Sequence, residues 1–452
     1  MASRAEVRNR MKKDGIQYIL TQFVDIHGAA KVKMVPASSF DDVVDEGAGF
    51  AGGAVLGLGQ GPHSHDMMAR IDIDTYTHLF WKPGVARFAA DLYVDGEPHP
   101  FCARLNLKRV LEKYRRKGFV FNVGVEPEHF LVVRNGDGSI SPWDPDRVDS
   151  LNKPCYDFKG ISPTMDYLME ITTGLNGLGW KVYQTDHEDA NGQDEVNFAY
   201  ADALTSADRH TFFKMMASQL AKKYGAIATF MPKPFSHLTG SGAHFHYHVA
   251  SARTGKNLFL DPKDKQGLGL SKFAYHFLGG ILHHAPALCC VTSPTVNCYK
   301  RLQVAEALYG SMSGFLWTPA FVTYGDNNRT QMIRIPGPGH CEDRTVSSAT
   351  NPYLAMAAYL SAGMDGVERE LDPGTPNLGN LYEIGWEEVE RRKIRVLPQS
   401  LRDALLELER DESMQEALGS TCQEFIRLKW SEWKQYHRQV TQWEISQFLT
   451  FF

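Results

Sequence analysis

The segment Val123–Val133 reads Val-Gly-Val-Glu-Pro-Glu-His-Phe-Leu-Val-Val, two acids separated by one proline. On a β-strand alternate side chains share a face, so Glu126 and Glu128 point the same way, with Phe130 after them. Neighbouring carboxylates repel, and a strand gains no stability from the pair. A divalent cation removes the repulsion and turns both acids into ligands; a solvated strand face is the ordinary alternative for this stretch alone. Pro127 cannot donate a ladder hydrogen bond, which points to an edge or an irregularity.

More groups of the same kind follow. His187-Glu188 and Gln193-Asp194-Glu195 flank a tight turn and place two further carboxylates on facing strands. Ser241–His248 alternates His244, His246 and His248 on one strand face. Cationic groups come in Asn297-Cys-Tyr-Lys-Arg301, in Asn328-Arg-Thr-Gln-Met-Ile-Arg334 and in Glu342-Asp-Arg344. Each has a plain structural explanation, since most arginines simply pair with surface acids. Tetrahedral zinc is disfavoured because no second His/Cys cluster completes it. Taken together, hard oxygen ligands with limited imidazole suit Mg²⁺ or Mn²⁺, and arginines beside such a metal suit a polyphosphate. The combination points to phosphoryl transfer from ATP.

The elements that must carry these groups fall into two regions. Residues 1 to about 100 read as a small β-rich unit, with apolar runs at Ile16–Val24 and Ala30–Val35 about the turn Asp25–Gly28, and another at Ala86–Val94. The Gly-rich piece Gly47–Pro62 lacks both a P-loop lysine and a dinucleotide fingerprint, and reads as an active-site loop or subunit contact. Beyond Pro100 the pattern turns helical at Leu105–Gly118, Ser162–Leu178, Ser206–Tyr224 and from Asn351-Pro352, with strands between. The tail from Leu401 is helical and apolar to its last residue, Phe452. It reads either as a packed core helix or as a segment covered by a partner subunit.

Bulk properties exclude several classes. With 452 residues, 43% hydrophobic and 22% charged, the chain is globular and large enough for two domains. A net charge of -5 gives no electrostatic case for nucleic acid or an anionic membrane. The N-terminus has no apolar core of a secretory signal and no run is long enough to span a bilayer. Seven cysteines without a CxxC pair read as reduced thiols of a cytoplasmic protein.

In combination the motifs resemble the glutamine synthetase family: Glu126-Pro-Glu128, the HE…GQxE of His187–Glu195, GSGxHxH at Gly240–His246, NxYKR ending at Arg301, NRxxxxR at Asn328–Arg334, ExR at Glu342–Arg344 and Asn351-Pro-Tyr-Leu354. The resemblance covers nearly the whole chain. It implies an α+β fold: an N-terminal β-grasp domain (1–100) and a catalytic domain (101–452) whose curved antiparallel sheet forms an active-site barrel, with a helical tail. It implies two Mg²⁺ or Mn²⁺ per site, Glu128, Glu188 and Glu195 holding the one that faces glutamate and Glu126, His244 and Glu342 the one that orients ATP. Arg301 would grip the substrate α-carboxylate with the Gly240–Gly242 backbone. Arg329, Arg334 and Arg344 would neutralise the transferring phosphoryl group. His246 would lie along the nucleotide and Tyr200 against the adenine. Active sites between subunits of a ring, a dodecamer, and a tail inserted into the opposing ring are implied in the same way.

Two departures bear on the acceptor. Ammonia-using members carry an Asp in an N-terminal Phe-Asp-Gly-Ser-type motif; here Gly49-Phe-Ala-Gly-Gly53 puts Ala51 there. A methyl in place of a carboxylate favours a small alkylamine over ammonium. After Arg301 the family's flap is replaced by Leu302-Gln-Val-Ala-Glu306 and an extra stretch before Trp317, so Glu306 is the candidate flap glutamate. The chain is thus most similar to the divergent branch that uses methylamine, with formation of γ-glutamylmethylamide via γ-glutamyl phosphate as the expected reaction. Ammonia or a polyamine as acceptor are the alternatives. A silent structural homologue is opposed by the presence of all six ligands. Tyr382 sits where some bacterial members are adenylylated, but its surroundings differ and no such regulation is expected.

Overall fold

The computed structural model describes residues 2–304 and 317–452. The class is the expected α+β, built on two sheets. The first contains β1 (Tyr18–Val24), β2 (Ala30–Pro36), β3 (Ala48–Phe50), β4 (Met67–Ile71), β5 (Thr77–His78), β6 (Val85–Val94) and β7 (Glu97–Pro98), in the order β2-β1-β6-β4-β3 with β5 and β7 also on β6. β1 and β6 are parallel; the other pairs are antiparallel.

The second sheet is nearly closed and barrel-like. It contains β8 (Phe119–Arg134), β9 (Ile140–Pro142), β10 (Val182–His187), β11 (Gln193–Phe198), β12 (Ala201–Asp202), β13 (Ile227–Thr229), β14 (Ala243–Ser251), β15 (Tyr324–Gly325), β16 (Ile333–Gly337) and β17 (His340–Asp343). Its main path is β10-β11-β8-β14-β17-β16-β15. One face is apolar: Phe121, Val123, Val125, Phe245, Tyr247 and Val249 join the core made by the helices Lys272–Thr292, Pro352–Glu368 and Leu401–Arg410. Period-two alternation therefore leaves Glu126, Glu128, His244 and His246 for the opposite face. The two longest core helices cross closely, because a Cβ on Gly280 would meet the Ala362 carbonyl at 2.1 Å and one on Gly366 the Gly280 nitrogen at 2.3 Å.

Pro127 lies inside a long strand, not at an edge. β14 pairs with β8 from Phe119 to Pro127, while on the other side β12 ends at Val123 and β11 begins at Glu128. The missing N–H falls in that gap, so no ladder bond is lost. The helix expected from Ser206 begins at Ala203, because Asp202 accepts from the Thr205 amide at 3.1 Å. The stretch from Ser162 resolves into a 3-10 turn over 162–164 and a helix over Met165–Gly177.

Two groups of polar contacts are central where the sheets meet. Asn351 caps its helix by accepting from the Tyr353 and Leu354 amides, and donates to the Asp25 and Ile26 carbonyls of the β1–β2 turn. Gly28 in that turn has φ +78° and a Cβ there would meet Asn351 Cα at 2.7 Å, so both backbone and space demand glycine. Arg104, 3% exposed, pairs with Asp91, Asp72 and Asp208 at 2.8–2.9 Å.

The C-terminal helix Gln442–Phe448 buries none of its residues, and Trp443, Leu449, Phe451 and Phe452 are exposed. The packed-core reading holds for Leu401–Arg410 but is corrected for the chain's end: among the described residues nothing buries the apolar groups of 443–452.

Candidate active site

Strand register lays the acidic and imidazole groups side by side. Glu195 of β11 stands opposite Glu128 of β8, His244 of β14 opposite Glu126, His246 opposite Glu342 of β17, and Arg334 of β16 opposite Glu342. The row needs five neighbouring strands and exists only in the folded sheet. His244 Nδ1 is 3.4 Å from Glu126 and 3.5 Å from Glu342, and its Nε2 is 3.5 Å from Glu128. His246 Nε2 is 2.9 Å from Glu126. Donor atoms of Glu126, Glu195 and His244 lie within 4.8 Å of one another, as do those of Glu126, His246 and Glu342. Glu188, one residue past β10, shares their electrostatic field.

Charge is uneven along the row. Burial, then Glu128, Asp186 and Glu126, push Glu188 up to about 8. Burial, then Glu126, Glu188 and Glu128, raise Glu195 well above the usual carboxylate range. At the other end burial is outweighed: Arg344, His246, His244 and Arg334 hold Glu342 at about 2, and His246 and His244 hold Glu126 well below its ordinary value. Acids that cannot all ionise beside one another, within reach of one or two imidazoles, are a donor set that fits hard divalent cations.

Guanidiniums line the other side. Arg301, 8% exposed, donates to the carbonyls of Thr345 (3.1 Å) and Arg344 (2.8 Å) and lies 3.4 Å from His244. Arg344 reaches Glu342 at 2.9 Å, and its Nε is buried with no hydrogen-bond acceptor among the described residues. Arg334 reaches Glu342 at 2.7 Å. Arg329 feels burial first and then repulsion from Arg334 and Arg344, so the three are electrostatic neighbours. Gly240 and Gly242 pack against Arg301, where a Cβ would meet its side chain at 3.1 and 2.8 Å.

Tyr200 is exposed, 5.2 Å ring-to-ring from His248, at the end of the row near His246. A Cβ on Gly124 would touch both Tyr200 and His246. Ala51 is exposed and opens the 3-10 turn Gly52–Ala54 of the first sheet unit, separate from the row. Glu306 lies outside the described residues.

Three further residues belong here. His340 Nε2 is 2.7 Å from His246 Nδ1; it precedes Glu342 by two, so alternation would have placed it on the same face. Asp189 Oδ2 accepts from Thr239 Oγ1 at 3.1 Å and from the Trp317 indole at 3.0 Å, joining three distant segments. Ser348 Oγ lies 2.6 Å from the Gly242 carbonyl and 3.0 Å from that of Glu128. Nothing in the pattern around Asp189 or Ser348 announces these contacts.

The profile of the family described as "Glutamine synthetase, catalytic domain" matches residues 100–448. The chain belongs to the glutamine synthetase family. Among relatives it is 48% identical over 451 residues, all of both chains, to the glutamate–methylamine ligase of Methyloversatilis universalis. It is 42% identical over 434 residues, 96% of each chain, to the glutamine synthetase of Rhizobium meliloti. Among solved structures it superposes with TM-score 0.90 on a chain described as a GmaS/ADP complex, at 42% identity over 98% of this chain and 99% of that one. Apo GmaS gives 0.89 at 42% identity over the full length of both. These family members are ATP-dependent ligases.

Proposed function

We propose that this enzyme joins L-glutamate to methylamine at the expense of ATP, giving γ-glutamylmethylamide, ADP and phosphate. The observation that carries the reading is the cross-strand row of four carboxylates and two imidazoles facing buried guanidiniums, one with an Nε unsatisfied among the described residues. The full-length likeness to a methylamine-using relative supports the acceptor.

In this reading the γ-carboxylate of glutamate takes the γ-phosphoryl group of ATP, because an oxide is too poor a leaving group for direct aminolysis. The amine nitrogen then attacks the acyl carbon, the C–O bond to phosphate breaks, and the nitrogen loses its proton. Glu128, Glu188 and Glu195 would hold one divalent cation and Glu126, His244 and Glu342 a second, Mg²⁺ or Mn²⁺. When bound, these offset charge on the phosphoryl and carboxylate oxygens. Arg301, with the Gly240–Gly242 backbone, holds the α-carboxylate. Arg329, Arg334 and Arg344 aim positive charge at the transferring group, an effect of about 10²–10³ in kcat per donor in comparable sites. His246 lies along the nucleotide and Tyr200 against its base, and water must be kept out because it would hydrolyse the acyl phosphate.

The same reading takes residues 1–100 as a β-grasp domain and 101–452 as the catalytic domain. It makes the enzyme a cytoplasmic ring homo-oligomer, a dodecamer, in which Ala51 serves a neighbouring subunit's site. Steady-state kinetics with ATP, glutamate and Mg²⁺ across ammonium, methylamine, ethylamine and a polyamine test it, with phosphate release as readout. Methylamine should have the highest kcat/KM, and Ala51→Asp should shift preference towards ammonium. A higher kcat/KM for ammonium in the wild-type enzyme rejects the methylamine assignment.

A further inference from the structure

A polar cavity of about 310 Å³ opens where the first sheet unit meets the helices of the second, and none of its lining residues belongs to the site described above. Its walls include Arg10 from the helix Arg4–Lys13, Arg87 from β6, and Arg209 from the helix Ala203–Lys223, with Leu178 and Trp180 as an apolar side. Among the described residues none of the three guanidiniums is hydrogen-bonded to a carboxylate. Arg87, 2% exposed, donates to Gln22 Oε1 at 2.7 Å and to the main-chain carbonyl of Asp208 at 3.2 Å. Arg209 donates to the Ala199 carbonyl at 3.3 Å and lies 5.2 Å over Trp180. Arg10 lies 4.8 Å over the Tyr76 ring.

The two acids on the cavity wall are already engaged. Asp208 is held by Arg104 through two 2.9 Å bonds and by the Tyr353 hydroxyl at 2.7 Å, and Asp74 accepts from the Ala2 amide at 2.6 Å. Arg87 is buried, Arg209 half-buried and Arg10 exposed at the cavity mouth; a buried guanidinium without a hydrogen-bonded carboxylate is costly, and an anion entering beside the three offsets that cost. Burial lowers the pKa of both Arg87 and Arg209, outweighing Asp208 beside the first and Asp202 beside the second. A guanidinium matches a carboxylate or phosphate, although Nε and Nη2 of Arg87 already donate to Gln22 Oε1. The volume stands at the lower end of small-molecule sites, about 300 Å³.

We propose that this cavity binds a small dianion, a short dicarboxylate or a phosphate, held by Arg10, Arg87 and Arg209. Its walls come from both sheet units, so the bound dianion pins one unit on the other. Arg209 grips the carbonyl of Ala199, the residue before Tyr200, which links the cavity to the nucleotide end of the sheet. The proposal does not depend on which amine the enzyme uses.

Isothermal titration of the full-length protein with inorganic phosphate, glutarate and, as monoanion control, acetate tests it. Phosphate is also a product of the proposed reaction, so Arg344→Ala serves to weaken binding at the active site. Arg344→Ala should keep one site per chain for phosphate or glutarate that also fills in the wild type, tighter than for acetate, and the better of the two identifies the ligand chemistry. The double variant Arg10→Ala/Arg209→Ala should raise the dissociation constant at least about tenfold. Arg10→Ala alone, which removes no hydrogen bond among the described residues, replaces the double variant if that fails to fold. Binding unchanged in these variants, binding lost in Arg344→Ala, or no binding of either dianion at millimolar concentration overturns the proposal.

Discussion

The amide of Gly242 donates to Glu128 Oε2 at 2.8 Å, and the amide of Glu128 donates back to the Gly242 carbonyl at 3.2 Å. Gln193 Nε2 adds a third tie, reaching Glu128 Oε2 at 3.1 Å and the Gly240 carbonyl at 3.3 Å. One carboxylate of the row is therefore oriented by the same glycine loop that packs on Arg301. A Cβ on Gly242 would stand 2.6 Å from His244 Nε2 and 2.8 Å from an Arg301 nitrogen, displacing both. Gly242→Ala is expected to lower kcat/KM for glutamate by about 10²-fold, the scale of an ångström misplacement in a reacting site. Steady-state kinetics beside thermal unfolding check it; a matching collapse of stability would assign the glycine to folding alone.

Cation binding should be coupled to protons. In the metal-free protein burial and the neighbouring carboxylates push Glu188 up to about 8, so it is largely protonated at pH 7, and burial with Glu126 raises Glu195 well above the usual carboxylate range. A cation needs them ionised, so adding Mg²⁺ should release protons and affinity should rise with pH through about 8 before levelling. Calorimetry in buffers of different ionisation enthalpy measures the release, and Glu188→Gln should reduce it by about one proton. Chelation should restore the protonated state and lower the unfolding midpoint. No proton release at pH 7 would mean the acids are not ligands.

Away from the site, buried His284 bridges Asp411 at 2.6 Å and Asp365 at 2.9 Å, with Arg369 on Asp365 at 2.8 Å and His283 and Arg395 nearby. Burial opposes the charge, but the two carboxylates win and raise the His284 pKa above 6.5. The bridge thus contributes in full below pH 6.5 and is lost as pH rises through the raised value. Asp411, held below 3.8, sets the acid limit, where its share is lost. His284→Gln should cost about 1–3 kcal/mol at pH 6 and clearly less at pH 9 in chemical denaturation, since a buried carboxylate loses a charged partner only where histidine carries the charge. An equal loss at both values would make the role one of packing.

Much of this was legible because strand alternation is a local rule: Glu126 and Glu128, or His244 and His246, must share a face wherever the strand lies. Which strands lie beside which is not local. The register that sets Glu195 against Glu128 is written by pairings between segments some 65 residues apart in sequence. The irregularity that Pro127 signals is the gap between where β12 stops and β11 starts, which no local rule locates. Ser348 and Asp189 act through one side chain reaching a distant segment, a contact that leaves no periodic trace. His340 stands two residues before Glu342, a spacing that strand alternation makes legible.

The tail carries the last prediction. Thr441 and Glu444 form a capping box, so the helix Gln442–Phe448 is locally specified, yet it buries nothing in its own chain. Trp443, Ile445, Phe448, Leu449, Phe451 and Phe452 stand exposed together at the chain's end, Phe452 at 98%. A contiguous apolar surface of this kind in a well-capped element calls for a partner surface. Covering a large apolar side chain contributes about 1.5–3 kcal/mol, so six of them offer on the order of 10 kcal/mol per tail before the cost of association. A second copy of the chain, placed by a symmetric ring-to-ring contact, is the occupant consistent with the ring assembly proposed above. Removing residues 443–452 should therefore lower the assembly mass in light scattering by about half, as stacked rings separate, while circular dichroism stays near the full-length spectrum. An unchanged mass would show that the tail is not what holds the rings together.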